Sequence, residues 1–129
     1  MDERTTLAEL KDAIREMCIY RGWGGPDGYQ NPQQVAMGMV AEMGELMDLV
    51  AWLEPEDIQA LVDGKMPKKR ELIAEEMADI LIYALQIMRA LNVDISEAML
   101  KKIDIIKQRA TDPDAGRHHP HVDSYALEE

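Results

Sequence analysis

The sequence contains no phenylalanine and a single cysteine, Cys18, among its 129 residues. One cysteine excludes an intramolecular disulfide and is typical of a reducing compartment. Because Cys18 lies on the apolar stripe of a predicted helix, we assign it to the core. Aromatic residues are only 5% of the chain, whereas ten residues are methionine. Methionine fills irregular gaps flexibly, so the core is expected to be adaptable.

Positive charge is also scarce, with 14 Lys and Arg against 25 Asp and Glu and a net charge of −11. Binding along a nucleic-acid backbone needs basic patches, so a nucleic-acid polymer is not expected as a partner. The first six residues contain no apolar signal segment. The apolar stretch 35–53 carries three acids, which argues against a membrane span. We therefore expect a cytoplasmic protein that does not bind membranes.

Apolar residues recur at helical spacing and predict an all-α fold. Capping patterns and prolines at helix starts set the helix boundaries. The four main helices are predicted over residues 6–21, 31–53, 67–91 and 94–110. A connector with a short helix near residues 57–62 joins the second and third. The domain is thus predicted to span residues 1–110, followed by a C-terminal tail over residues 111–129.

Two helices have features that demand an explanation. The third is apolar nearly all round from Ile80 to Met88, which predicts a central position or a dimer interface. The second contains Gly38 and Gly44, each costing about 1 kcal/mol relative to Ala in a helix. We expect each glycine to permit close approach of another helix or of a ligand.

A glycine-rich loop over residues 21–30 separates the first two helices and carries Trp23 and Tyr29. Glycine permits backbone angles that other residues avoid, so this loop can fold over a ligand and present an aromatic face. The other interpretation is that Trp23 covers the end of the core. The sequence alone favours neither.

Two carboxylate pairs at i, i+3 spacing are the main chemical signal of the chain. Glu42 and Glu45 lie on the second predicted helix, and Glu76 and Asp79 on the third. Residues three apart share one helix face, so each pair can bind one cation. An all-carboxylate site favours Mg²⁺ or Mn²⁺. The alternative is an acidic stripe exposed to solvent. The apolar residues that flank every acid argue against this alternative.

Other chemistries fit the sequence less well. A di-iron site would require Glu-x-x-His on two helices. The histidines instead lie together in the predicted tail, as His118, His119 and His121. The chain has neither a P-loop nor a helical Ser/His/Asp or Cys/His arrangement. Of the chemistries considered, attack by a water molecule that a metal ion activates fits the sequence best.

The two acidic motifs and their context resemble the MazG-like all-α nucleoside triphosphate pyrophosphohydrolases, most closely the dCTP pyrophosphatase branch. The resemblance covers residues 7–110 and rests mainly on Ala41–Leu46 and Glu75–Tyr83. It implies cleavage between the α- and β-phosphates of a nucleotide. It also implies that the four acids hold Mg²⁺ and orient the attacking water, and that the protein is a homodimer or homotetramer.

The same resemblance implies roles for residues outside the acidic motifs. Lys102 and Arg109 match positions that contact phosphates, while Trp23 and Trp52 match positions near the base. Gln30 replaces a histidine near the base, Ile106 replaces an asparagine, and Ala110 replaces an aromatic residue. These departures bear on the choice of dCTP more than on the reaction class.

The sequence is compatible with several functions. The leading hypothesis is an enzyme that hydrolyses a pyrimidine deoxynucleoside triphosphate such as dCTP, for cleansing of the nucleotide pool. A dUTP-type hydrolase of the same superfamily is an alternative. A nucleotide-binding or regulatory module without turnover is another, motivated by Ile106. A structural helical dimer with a solvated acidic groove is the last.

Overall fold

The computed structural model describes residues 1–109 and residue 111. These residues form five α-helices and one 3₁₀ turn, Gly25–Asp27, which confirms the all-α prediction. The helices are α1 (Leu7–Arg21), α2 (Pro32–Val50), α3 (Pro55–Val62), α4 (Pro67–Ala90) and α5 (Ile95–Arg109). No described helix combines the length and hydropathy needed to cross a bilayer. Apart from Thr111, the predicted tail and its three histidines lie outside the described residues, as does Ala110.

The helix starts follow the predicted capping chemistry. Thr6 and Glu9 form a reciprocal capping box at the start of α1. Asn31 Oδ1 accepts the backbone N–H of Gln33 at 2.9 Å before α2. The short helix expected near residues 57–62 is confirmed as α3 and begins two residues earlier, because Asp57 accepts the backbone N–H of Glu54 and Pro55 occupies the first helical position. Helix α2 ends at Val50, three residues earlier than predicted.

The chain divides into two compact units, residues 1–93 and the residues from Asp94 onward. In the first unit, α2 and α4 form the most extensive helix pair, while α1 and α3 also pack on α4. Lys69 Nζ on α4 donates to the carbonyl oxygen of Leu49 on α2 at 2.9 Å. The buried core of this unit includes Ile14, Cys18, Val35 and Ile80. The second unit contains helix α5.

The two glycines of α2 have different environments. A Cβ on Gly38 would lie 3.3 Å from Cζ of Tyr83 on α4, so Gly38 lets the tyrosine ring approach the helix. Nothing in the described chain lies within 4 Å of the corresponding position on Gly44. The expected close approach is therefore confirmed for Gly38. No helix of the described chain comes that close to Gly44, where the approach of a ligand stays a prediction.

An apolar groove runs between α1 and α4. It has a volume of about 420 Å³. The residues lining it are Leu10, Ala13, Ile14 and Met17 from α1, and Ala78, Leu81, Ile82 and Leu85 from α4. Leu10 is 42% exposed and Leu81 is 56% exposed. Helix α4 thus presents apolar surface to solvent over part of the stretch that the sequence marks as apolar all round.

Candidate active site

The glycine loop after α1 has a backbone that glycine alone can adopt at one of its turns. Gly24 has a φ of 77°, and a Cβ there would lie 2.4 Å from the backbone carbon of Tyr29. The backbone N–H of Tyr29 donates to the carbonyl oxygen of Gly24 at 3.2 Å and closes the loop. The loop therefore has a fixed shape with Trp23 at its start and Tyr29 at its end.

Packing of α2 on α4 brings three of the four predicted acids together. Glu42, Glu45 and Glu76 each offer one carboxylate oxygen, and these oxygens all lie within 4.8 Å of one another. We call these residues the glutamate cluster. Asp79 lies one turn further along α4 and lines a cavity together with Glu42. The i, i+3 spacing on each helix produced this convergence because the acidic faces of the two helices meet.

The electrostatics of the glutamate cluster disfavour three negative charges. Burial, followed by the nearby charges of Glu45, Glu42 and Asp79, raises the pKa of Glu76 above its ordinary value. Burial also raises the pKa of Glu42, with further contributions from Glu45 and Asp79. No hydrogen-bond donor in the described chain reaches the buried Oε2 of Glu76. A bound cation would supply the missing positive partner to all three carboxylates.

The donor set of the cluster also fits a cation chemically. All three groups are carboxylates, which hard divalent cations such as Mg²⁺ and Mn²⁺ prefer. Burying the Oε2 of Glu76 without a hydrogen-bond donor costs free energy, and a bound cation would offset that cost. The residues present therefore fit the metal that the sequence predicts.

A cavity of about 190 Å³ adjoins these acids. It is lined by aromatic, polar and acidic side chains from α1, the glycine loop, α2 and α4: Met17, Trp23, Glu42, Asp79, Ile82, Tyr83 and Gln86. Trp23 is 39% exposed, and the guanidinium carbon of Arg21 lies 4.9 Å from the centre of its ring. Trp23 thus lines the cavity, and its contact with a ligand stays a prediction.

Gln86 lines the same cavity, a position that the sequence interpretation missed. Its side chain is only 5% exposed. Its Nε2 donates to Cys18 Sγ at 3.5 Å, while its Oε1 is buried without a donor in the described chain. Cys18 itself is fully buried, as predicted. The available signal was that Gln86 is the one amide side chain within the apolar run Ile80–Met88.

The remaining predicted substrate residues occupy varied positions. Trp52 follows α2 and is 89% exposed. Gln30 ends the glycine loop, and its Oε1 is buried without a described donor. Lys102 and Arg109 lie exposed on α5 in the second unit. The substrate roles of these four residues stay predictions.

Comparison with known proteins adds a second line of support. No protein-family model matches the chain. Human dCTP pyrophosphatase 1 is 30% identical over 104 residues, which cover 81% of this chain and 58% of the human protein. The rat protein of the same name is 29% identical over a span of the same length. Over most of its own length the chain is therefore similar to the dCTP pyrophosphatases.

A solved structure agrees with this relationship. A pyrophosphatase from Archaeoglobus fulgidus superposes with a TM-score of 0.69 at 27% identity, covering 81% of this chain and 92% of that one. These comparisons confirm the resemblance to the MazG-like superfamily on its dCTP pyrophosphatase branch. The chain spans about 58% of the length of human dCTP pyrophosphatase 1.

Proposed function

We propose that the protein is a Mg²⁺-dependent nucleoside triphosphate pyrophosphohydrolase with dCTP as its preferred substrate. Water would cleave the bond between the α- and β-phosphates, releasing dCMP and pyrophosphate. The convergence of Glu42, Glu45 and Glu76 in a homologue of dCTP pyrophosphatases carries this proposal. A physiological role in cleansing the nucleotide pool would follow from this reaction.

The acids of the site would act through the cation. Glu42, Glu45, Glu76 and Asp79 are the residues we assign to holding Mg²⁺ (or Mn²⁺) and to orienting the attacking water. Bound Mg²⁺ would neutralise phosphate charge and stabilise the charge that develops in the transition state. In its absence the carboxylates repel one another and repel the substrate phosphates. Lys102 and Arg109 remain our candidates for additional phosphate contacts.

The cavity beside the acids suits a nucleobase. Trp23 and Tyr83 offer aromatic rings for stacking, worth about 1–3 kcal/mol per base in single-strand binders. The unpartnered Oε1 of Gln86 can accept a hydrogen bond from the 4-amino group of cytosine. Uracil presents a carbonyl oxygen at the same position, so two acceptors would face each other. This contrast supports dCTP over dUTP, with Gln30 and Trp52 as further candidates beside the base.

Pyrophosphate release from a panel of nucleoside triphosphates with Mg²⁺ tests the function directly. We expect dCTP to be the best substrate and EDTA to abolish turnover. Binding of dCTP without turnover would establish the non-catalytic module instead, and preference for dUTP would establish the dUTP-type alternative. Full activity in EDTA would refute the metal mechanism.

The base assignment has its own test in the Gln86→Leu variant. Leaving a buried polar group without its partner costs about 1–3 kcal/mol, or roughly 5- to 150-fold. We expect the ratio of kcat/KM for dCTP to that for dUTP to fall by about this factor in Gln86→Leu. An unchanged ratio would remove Gln86 from base selection while leaving the reaction class intact.

We also propose that two copies associate through the apolar groove between α1 and α4. The exposed Leu10 and Leu81 support this assembly, because removing their side chains from water is favourable. Further pairing of dimers into a tetramer is compatible with the same interface. We propose a catalytic domain over residues 1–110 and a cytoplasmic location, the latter supported by the free thiol of Cys18.

A further inference from the structure

A second polar pocket lies in the first unit, apart from the glutamate cluster. Its volume is about 170 Å³. It is lined by residues of α1, the glycine loop and the end of α4: Lys11, Asp12, Tyr29, Met88, Arg89, Asn92 and Val93. We call it the Arg89 pocket. Nothing in the proposed hydrolysis of dCTP uses these side chains.

Arg89 is held in place but is incompletely paired. Its Nη1 donates to the carbonyl oxygen of Gly28 at 3.3 Å, and its guanidinium carbon lies 4.9 Å from the centre of the Tyr29 ring. Its Nη2 is buried and donates to no acceptor in the described chain. No carboxylate of the described residues forms a salt bridge with it. The guanidinium of arginine is a positively charged group that has donors and no acceptor.

The Nη2 donor of Arg89 is therefore free to donate to an oxygen of a ligand. Leaving a buried charged donor unsatisfied costs more than the 1–3 kcal/mol typical of a neutral group. The fold nevertheless fixes Arg89 with a hydrogen bond on one nitrogen and an aromatic ring beneath it. That arrangement restrains the planar group before any ligand binds, which lowers the entropy lost on binding.

The charges around the pocket favour an anion. Lys11 and Arg89 bring two positive charges against the one negative charge of Asp12, in a protein with a net charge of −11. Asn92 adds an amide N–H₂ donor and has a left-handed backbone with φ of 52°. Arginine presents a fork of donors that matches phosphate oxygens, whereas lysine adds a point charge.

The position separates this pocket from the acids. Arg89 lies thirteen residues after Glu76 on the same helix. At 1.5 Å per residue, this places the two about 20 Å apart along α4. A phosphate group beside Arg89 is therefore a different ligand group from one held by a cation at the glutamate cluster.

We propose that the Arg89 pocket binds a phosphate group, either free phosphate or the phosphate of a small ester. Nη2 of Arg89 and Nζ of Lys11 would donate to its oxygens, and the Asn92 amide is the third donor. Asp12 would accept from a protonated phosphate oxygen. The inference is independent of the proposed hydrolysis, since neither Mg²⁺ nor the four acids take part.

The test uses inorganic phosphate as the probe, with EDTA present to exclude a metal-bridged complex. Melting temperature and isothermal titration calorimetry are measured against potassium chloride of equal ionic strength. Arg21→Met is the matched control for Arg89→Met, because Arg21 also lies 4.9 Å from an aromatic ring but is exposed. We expect phosphate to raise the melting temperature of wild type and Arg21→Met, and at least a tenfold loss of affinity in Arg89→Met.

The other outcomes are equally informative. No heat and no thermal shift with wild type would overturn the proposal, as would equal binding by all three proteins. If Arg89→Met does not fold, Lys11→Met takes its place and should weaken phosphate binding. Titration with methyl phosphate and with dCMP then separates free phosphate from an ester, since only an ester site retains the affinity when one oxygen is substituted.

Discussion

At the scale of single residues, Glu76 combines a buried carboxylate oxygen with nearby negative charges, which destabilises its ionised form. Replacing Glu76 with Gln removes one of the mutually repelling charges and keeps the shape. We expect Glu76→Gln to melt at a higher temperature than wild type in EDTA and to lose most dCTP turnover with Mg²⁺. The neighbouring Glu75 is exposed and outside the glutamate cluster, and its charge is the smallest listed contribution to the raised pKa of Glu76. Glu75→Gln is therefore the matched control and should change both properties much less than Glu76→Gln.

Thermal melting of both variants with Mg²⁺ and with EDTA checks this expectation. A Glu76→Gln protein with wild-type turnover would show that the carboxylate does not hold the cation. A lower melting temperature in EDTA would show that an unrecognised donor satisfies Glu76.

The raised pKa values of Glu42 and Glu76 predict a pH dependence of stability. In the unfolded chain the pKa of a glutamate is about 4.5. In the folded protein the pKa of both groups is higher, so both bind protons more tightly there. Their contribution is fully present below about pH 4.5 and is lost as the pH rises through the folded pKa. In EDTA, we expect Glu42→Gln to flatten the fall in unfolding free energy above this pH. Urea melts of wild type and variant at a series of pH values measure it, and parallel curves would contradict it.

At the scale of the helices, Gly38 and Gly44 make a natural comparison. Ala at an exposed helix position stabilises by about 1 kcal/mol relative to Gly, and nothing described lies near Gly44. We therefore expect Gly44→Ala to raise the unfolding free energy by about this amount. Gly38→Ala must displace the Tyr83 ring from 3.3 Å, so it should gain less and raise KM for dCTP. Urea melts and initial rates distinguish the two; equal gains and unchanged KM would mean that Tyr83 moves freely.

Helix boundaries were predictable where a local interaction decides them. The starts of α1 and α2 could be predicted from Thr6 with Glu9 and from Asn31 with Pro32, because helix caps join residues only two to three apart. Helix α3 was expected only as part of a connector, since its eight residues give too short a periodic pattern. Its start nevertheless depends on Glu54 and Asp57, which are also local partners.

The candidate site was predictable only as far as spacing determines it. The i, i+3 pairs place Glu42 with Glu45 and Glu76 with Asp79, whatever the register of the two helices. That Glu76 rather than Asp79 joins the α2 pair depends on how α2 and α4 pack, which no local pattern encodes. The position of Gln86 was not predictable for a similar reason, because its hydrogen-bond partner Cys18 lies 68 residues away in the chain.

At the scale of the whole molecule, the groove between α1 and α4 predicts the state of assembly. Leu81→Asp would place a charge in an interface that buries it, while the monomer tolerates it because Leu81 is 56% exposed. We expect sedimentation to give a dimer or larger assembly for wild type and a monomer for Leu81→Asp. Met37→Asp is the control, since Met37 is 70% exposed on α2, away from the groove, and should leave the mass unchanged. A monomeric wild type at micromolar concentration would reject the interface.

The exposed methionines of α2 affect how the protein responds to oxidants. Met37, Met43 and Met47 are 70%, 49% and 55% exposed, whereas the thiol of Cys18 has no exposure at all. We therefore expect peroxide to oxidise these thioethers before the thiol, giving methionine sulfoxides, which reductases can reverse. Oxidation would then fall on the protein surface and spare the sulfur that accepts the hydrogen bond from Gln86.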